Sequence, residues 1–174
     1  AVHVLARGCH AVLGDPAAAS RPGALKDGER DYRIAGCFIV TPDARWHMLV
    51  GNVGFPPEQR RLMIPIEGGH PGRVMRSGMP LLLANTDGDT GFRQYLKTSR
   101  MGSSAYAPML WRGDFIGQIV VAAQARWTYR PEDLAALVVA SRIAAAAWIA
   151  QGGPAWLRDN ADPPDAYRVD AQGM

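Results

Sequence analysis

Cysteine and lysine are both scarce in this chain of 174 residues. Its two cysteines, Cys9 and Cys37, are too few for the disulfide framework of a small secreted domain. We interpret both as reduced thiols in the core, and redox sensing through this pair is the alternative. Lysine occurs only at positions 26 and 97, so arginine provides nearly all of the positive charge.

Long basic runs and long apolar runs are also missing. The net charge is only +3 and no Lys/Arg block alternates with aromatic residues, which argues against direct nucleic-acid binding. The most apolar stretch, residues 134–149, contains Ser141 and Arg142 and is too short to span a membrane. Because no secretory leader pattern is present at the start, we expect a cytoplasmic protein that makes no membrane contact.

Signatures of common enzyme classes are absent as well. The sequence contains no G-x-S-x-G, H-E-x-x-H, P-loop or dinucleotide-binding fingerprint. Asp87 and Asp89 are spaced as in half of a calcium loop, but the other oxygen ligands and the closing glutamate are missing, so we interpret this stretch as a turn. We therefore predict no catalytic residue and no metal site. Haem ligation by His47 or His70 stays open, and the sequence identifies no cofactor.

Turn residues and apolar periodicity divide the chain into one domain, residues 1–152, and a tail, residues 153–174. With 48% hydrophobic residues, the chain is long and apolar enough for one core. Apolar residues three and four positions apart predict an N-terminal helix over residues 1–14. Pro131 followed by two acidic residues predicts the start of a long helix over residues 131–151.

The region between these helices, residues 32–123, has the pattern of a β-sheet interrupted by one long polar excursion. Short apolar runs alternate with Gly, Pro, Asn and Asp, which favour turns. A short helix is predicted to begin near Pro71. Residues 85–103, hereafter the flap, are predicted to cover one face of the sheet and to include a helical segment over residues 92–101. A small ligand would be enclosed beneath this flap.

Several motifs in this region resemble the GAF domain family. Residues 66–74 followed by Ser77-Gly78-Met79-Pro80 are similar to its G-x-x-G-x-V … s-G-x-P segment. Residues 104–109 are similar to its S-x-x-x-P-L strand, and residues 115–119 to its x-I-G-V-L strand. The resemblance extends over residues 32–150. It implies a PAS-related α+β fold with a central antiparallel sheet, terminal helices packed on one face, and a ligand pocket under loops and short helices on the other.

The resemblance also implies a function. Members of this family are sensory or regulatory domains that bind a small molecule and relay its occupancy through their terminal helices. We therefore expect a homodimer formed by these helices and an output partner such as a kinase or a transcription regulator. The free methionine-R-sulfoxide reductases of the family depend on cysteines that line the pocket, and residues 60–123 contain none, so we expect no enzymatic activity. The alternative is a ligand-free GAF-like module with a filled pocket that acts by dimerisation or protein interaction.

Candidate ligand-binding residues lie on the flap, on the strand that follows it and at the start of the short helix. They are His70, Arg93, Tyr95, Met101, Ser103, Ser104 and Tyr106. The Tyr and Ser hydroxyls can orient a ligand, and Arg93 can pair with a carboxylate, a phosphate or a nitrate. The backbone N–H groups of residues 69–73 open a helix and form a ready anion site. The identity of the ligand stays open.

Overall fold

The computed structural model describes residues 1–169, and the last part of the predicted tail, residues 170–174, lies outside the described residues. The described helices are α1 (Val2–Val12), α2 (Gly69–Ser77), α3 (Pro131–Ala150) and α4 (Gly153–Asn160). The described strands are β1 (Arg33–Val40), β2 (Trp46–Val53), β3 (Leu62–Pro65), β4 (Leu81–Leu83), β5 (Ser103–Trp111), β6 (Asp114–Ala123) and β7 (Tyr167–Arg168). Two short 3-10 helices, Ala18–Ser20 and Pro57–Gln59, lie in the connections before β1 and β3.

The strands form one seven-stranded sheet in the order β4-β5-β6-β1-β2-β3-β7. Neighbouring strands are antiparallel throughout, except that β3 and β7 pair in parallel at one edge. A two-residue turn joins β5 to β6, and both of its residues, Arg112 and Gly113, have positive φ angles. This geometry follows the right-handed twist of the paired strands. The predicted α+β fold with a central antiparallel sheet is confirmed.

Both terminal helices pack on the same face of this sheet. α1 lies on β1 and β2, α3 lies on β5, and the two helices contact each other. Small side chains on this face allow the close approach, among them Ala105 and Ala107 of β5. Gly51 of β2 is the tightest point, because an added Cβ there would lie 2.9 Å from the backbone of His3 in α1. The predicted arrangement of terminal helices on one face is therefore confirmed.

Helix α3 is long and apolar enough to cross a membrane by length and composition alone, since it has 20 residues and contains an 18-residue window with a mean hydropathy of 1.6. The prediction that this segment is too short to span a membrane considers only its apolar stretch, residues 134–149. Core helices of soluble domains have the same composition, and α3 buries Leu137 and Ala144 against the sheet. Its outer side exposes Val139 and Ile143, which are 56% and 53% accessible to solvent.

The flap and α2 cover the opposite face of the sheet. Phe92, Tyr95, Leu96 and Met101 of the flap are buried in a second apolar cluster with Tyr106 and Val120 of the sheet.

The predicted helix over residues 92–101 is wrong, because these residues form bends and irregular structure. The side chain of Gln94 gives the physical reason. Its amide nitrogen donates to the Leu96 carbonyl at 3.0 Å, and its oxygen accepts from the Met101 N–H at 3.2 Å. Such side chain–backbone bonds replace the hydrogen-bond ladder of a helix.

The chain after residue 152 contains more regular structure than the predicted tail. Residues Gly153–Asn160 form α4, whose Leu157 is buried against the helix-covered face. Residues Tyr167–Arg168 form β7, and the Tyr167 N–H donates to the Arg61 carbonyl at 3.0 Å. β7 thus pairs with the backbone groups that β3 would otherwise leave open at the sheet edge.

The contact between α1 and the sheet generates a prediction. Gly51→Ala is expected to destabilise the protein by about 1–3 kcal/mol, because the added methyl group forces α1 away from β2. Gly8→Ala is the matched control, since an added Cβ there has no neighbour within 4 Å. Gly8 lies within α1, so this control is expected to stabilise by about 0.5–1 kcal/mol. Urea unfolding of both variants measures the difference, and equal effects would contradict this packing.

Candidate functional site

A small cavity of about 60 Å³ lies between the flap and the sheet. Its walls are mostly apolar and come from the sheet, the connection between β2 and β3, the start of α2 and the flap: Ile34, Phe38, Phe55, Leu62, Ile64, Pro71, Phe92, Arg93, Gln94, Tyr95, Leu96, Met101, Tyr106, Val120 and Ala122. Typical small-molecule sites measure ~300–1,000 Å³. In this conformation, the cavity therefore has room for only a small part of a ligand.

A wider cleft of about 620 Å³ opens to solvent at the start of α2. It is lined by residues of α2, of the loop before it and of the flap: Glu67, Gly69, His70, Arg73, Arg76, Gly88, Asp89, Thr90, Gly91 and Arg93. Arg93 lines both the cleft and the cavity, so the two spaces are neighbours. With three arginines and two acidic residues, the cleft has a positive balance of charge.

The first turn of α2 leaves backbone donors at the cleft. Gly69 has a φ angle of +48°, a conformation that other residues rarely adopt, so the chain turns sharply into the helix here. The N–H groups of Gly69 and His70 make no hydrogen bond to any residue in the range 1–169. Such free donors carry the positive end of the helix dipole.

The Tyr95 hydroxyl reaches this same turn from the flap. A Cβ added at Gly68 would lie 2.5 Å from this oxygen, and one added at Gly69 would lie 3.0 Å from it. Tyr95 is only 8% exposed, and its hydroxyl has no hydrogen-bond partner among the described residues. Burial raises the pKa of Tyr95, so the phenol stays protonated and is available as a donor.

His70 lies between the cleft and the cavity. Its ring stacks on Tyr106, with 6.0 Å between ring centroids, and its Nε2 lies 3.3 Å from Oδ1 of Asp89 in the flap. Burial lowers the pKa of His70, and the nearby Asp89 carboxylate opposes this shift. Nδ1 of His70 is buried without a partner in the described part of the chain. His70 therefore links α2 to the flap.

The two predicted serines lie on opposite faces of β5. The Ser104 hydroxyl is buried on the cavity side of the strand, next to the Tyr106 hydroxyl. The Ser103 hydroxyl instead donates to the Leu83 carbonyl at 3.2 Å and accepts from the Tyr129 N–H at 3.3 Å. Successive strand residues point to opposite faces, so only one of two adjacent serines can line the cavity. The structure brings together the other six predicted residues and places Ser103 outside their group.

Three residues near the site were not predicted. Arg73 and Arg76 line the cleft, and their spacing of three on α2 is a signal that the sequence contains. Gln59 is fully buried and holds the flap from below. Its amide nitrogen donates to the Tyr95 carbonyl at 2.8 Å, and its oxygen accepts from the Lys97 N–H at 2.7 Å. Nothing in the local sequence distinguishes Gln59 from a surface glutamine.

The flap is anchored at its beginning by Arg126. This side chain is fully buried, with Nη2 at 2.8 Å from Oδ1 of Asp87 and Nη1 paired with Glu29. Hydrogen bonds from Arg126 and then Lys26 hold the pKa of Asp87 at about 2. The Asp87 carboxylate is therefore occupied by cations of the chain itself, in agreement with its interpretation as a turn residue.

The other groups considered from the sequence, one histidine and two cysteines, are buried outside the cleft and the cavity. His47 is fully buried, its Nε2 lies 2.9 Å from the Ile66 carbonyl oxygen, and burial lowers its pKa to about 4. Cys37 lies 3.4 Å from the Met109 sulfur, and burial raises its pKa to about 12. Burial also raises the pKa of Cys9. A reactive cysteine requires a lowered pKa, so neither thiol has the character of a redox sensor.

Replacing Arg126 tests the anchoring of the flap. Arg126→Met is expected to destabilise the protein by about 3–5 kcal/mol, because it leaves Asp87 and Glu29 without their shared partner. Arg61→Met is the matched control; Arg61 pairs with Asp165 at 3.3 Å but is half exposed. Exposed pairs contribute only about 0–1 kcal/mol. Chemical denaturation measures both variants, and equal losses would contradict the anchoring role.

Asp87 makes the same anchor sensitive to acid. Its pKa is lowered from 3.8 to about 2 in the folded protein. The resulting stabilisation is fully present above pH 3.8 and is lost as the pH falls towards 2.

Comparison with known proteins identifies the fold. The sequence matches the GAF domain family over residues 4–148. No curated protein shows detectable sequence similarity to the chain.

Solved structures with the same fold include residues 122 to 287 of a methyl-accepting chemotaxis protein, with a TM-score of 0.63 and 17% identity over 84% of this chain and 85% of that one. The second GAF domain of DevS from Mycobacterium smegmatis has a TM-score of 0.56 and 19% identity over 88% and 97% of the two chains. A type II free methionine-R-sulfoxide reductase from Thermoplasma acidophilum has a TM-score of 0.58 and 15% identity over 82% and 93%. Identities this low establish a shared fold and not a shared activity.

Proposed function

Because this chain belongs to the GAF domain family, we propose that it is a regulatory domain that binds a small molecule between the flap and the sheet. The observation that supports this proposal most directly is that the open cleft adjoins the small cavity, with polar atoms nearby that have no hydrogen-bond partner. Nδ1 of His70 and Oε1 of Gln118 are buried without partners among the described residues. Buried polar groups are normally satisfied, so these atoms are available to a ligand.

The relay of ligand occupancy would pass through the sheet. Tyr106 borders the cavity, and its neighbours in β5, Ala105 and Ala107, belong to the core shared with the terminal helices. A second contact joins the flap to the C-terminal segment, because the Lys97 ammonium lies 4.9 Å from the centre of the Tyr167 ring. A ligand would shift these elements by its difference in affinity for two arrangements of the flap.

The same proposal includes the partners. The exposed apolar side chains Val139 and Ile143 of α3 favour a homodimer through the terminal helices. The output would be a protein such as a kinase or a transcription regulator, with the domain in the cytoplasm and without direct contact to nucleic acid or membrane. The role would not be catalytic. Cys9 and Cys37 lie in the cluster on the helix-covered face, away from the cavity that a sulfoxide would have to enter.

A ligand screen tests this proposal. Purine nucleotides, nitrate, aromatic acids and tetrapyrroles are titrated against the protein, and a ligand is expected to raise the melting temperature in a concentration-dependent way. A ligand at a hundred times its Kd adds about 2.7 kcal/mol of stability. Ala122→Leu is the control, because Ala122 lines the cavity and the larger side chain fills it. A shift that persists in this variant would place the ligand elsewhere, and flat curves throughout would contradict ligand binding.

The second candidate function is a dimerisation module that works without a ligand. It is favoured by the volume of the cavity, about 60 Å³, together with the exposed apolar side of α3. Ile143→Arg is then expected to convert a dimer to a monomer in sedimentation velocity experiments. Leu110→Arg is the matched control, since Leu110 is 41% exposed at the far end of β5. A wild-type monomer at high concentration would contradict this function and the dimer alike.

A further inference from the structure

We infer that the ligand is a small organic anion whose charged group binds at the first turn of α2 and whose short apolar part enters the cavity. This inference rests on the proposed function and names the chemical class of its ligand. It is carried by two independent observations, the free donors at the start of a nine-residue helix and the side chain of Tyr95, a residue only 8% exposed whose hydroxyl reaches the same turn.

The donors at this turn match an anionic oxygen group. The N–H groups of Gly69 and His70 have no acceptor within residues 1–169, and both residues line the cleft. Tyr95 contributes a protonated hydroxyl from the other side of the turn. Glycine at positions 68 and 69 leaves the space that a side chain would fill, because an added Cβ at either position would contact the Tyr95 oxygen. A carboxylate or a phosphate ester presents the acceptors that these donors lack.

The charges around the turn favour the same ligand. Arg73, Arg76 and Arg93 line the cleft, and none of them forms an ion pair with a described residue. Of the two acidic residues there, Asp89 is directed to His70 and to the Gly91 N–H, at 3.3 and 2.8 Å. Glu67 is the remaining acid, so the cleft attracts anions. Arg93 stands at the boundary of cleft and cavity, where the charged and apolar parts of one molecule would meet.

The volume of the cavity limits the size of the ligand's apolar part. At about 60 Å³, with walls formed by side chains such as Phe38, Val120 and Ala122, it accepts a chain of a few carbon atoms. A purine ring or a tetrapyrrole does not fit into this space while the flap is closed. The ligand class is therefore a short-chain carboxylate or a small phosphate ester.

Isothermal titration calorimetry at low ionic strength tests whether the ligand is a small organic anion. The four probes are butyrate, ethyl phosphate, butyramide and inorganic phosphate. Butyrate or ethyl phosphate is expected to bind at least about tenfold more tightly than neutral butyramide, because hydrogen bonds to a charged acceptor are stronger than those to a neutral amide. Which of the two anions binds distinguishes a carboxylate site from a phosphate site. Inorganic phosphate lacks the apolar part and is expected to bind more weakly than the better organic anion. Added salt is expected to weaken anion binding.

Three variants locate the binding site. Tyr95→Phe removes only the hydroxyl, and Arg93→Gln replaces the charged guanidinium with a shorter neutral amide; each is expected to weaken anion binding about tenfold. Arg142→Gln is the control, because Arg142 is an exposed residue of α3 on the other side of the sheet. It is expected to leave binding unchanged. A circular dichroism melt of each variant verifies that the fold is retained.

The outcomes separate this inference from the proposed function. Butyramide binding as tightly as butyrate, or unchanged binding in both Tyr95→Phe and Arg93→Gln, would overturn the anionic class. The anionic class would also be overturned if a neutral compound raised the melting temperature of the protein while none of the four probes bound. In each of these cases, ligand binding itself would stand. If neither the probes nor the wider ligand screen gives any response, both proposals fail together.

Discussion

The buried guanidinium of Arg126 is the interaction on which the position of the flap depends. It joins Asp87 at the beginning of the flap to Glu29 in the segment before β1, and it comes from the turn that follows β6. One side chain thus fixes three parts of the chain that are far apart in sequence. A buried arginine is stable only when its charge is fully paired, so these partners cannot separate independently. The cleft and the cavity exist because the flap is held in this place.

The two faces of the sheet differ in their packing. Small residues such as Ala105, Ala107 and Gly51 let the terminal helices approach one face closely, and that face has a continuous apolar core. The other face has larger side chains and, within the described residues, buried polar atoms without a hydrogen-bond partner. Adjacent strand residues point to opposite faces. A displacement of the Tyr106 side chain would therefore occur directly next to residues that contact the terminal helices. This proximity is the physical basis of the proposed relay from the flap to the terminal helices.

Local patterns in the sequence predicted the terminal helices, α2 and the main strands, but not the irregular flap, α4 or β7. Helix α3 begins at Pro131 as predicted, and Gly78 ends α2 with a positive φ angle. The site depended on longer-range effects that local patterns do not contain. The partners of Arg126 are 39 and 97 residues away, and Gln59 bonds to residues more than 30 positions later. The choice between Ser103 and Ser104 required the register of β5, which a shift of one residue would reverse.

Native mass spectrometry of the gently purified protein tests the central claim most directly, namely that the flap encloses a site for a small anionic molecule. The account predicts a protein mass that exceeds that of the chain by one small molecule, which is released on acid denaturation and detected as an anion. The bare mass of the chain, unchanged after the protein is equilibrated with a cell extract, would contradict it.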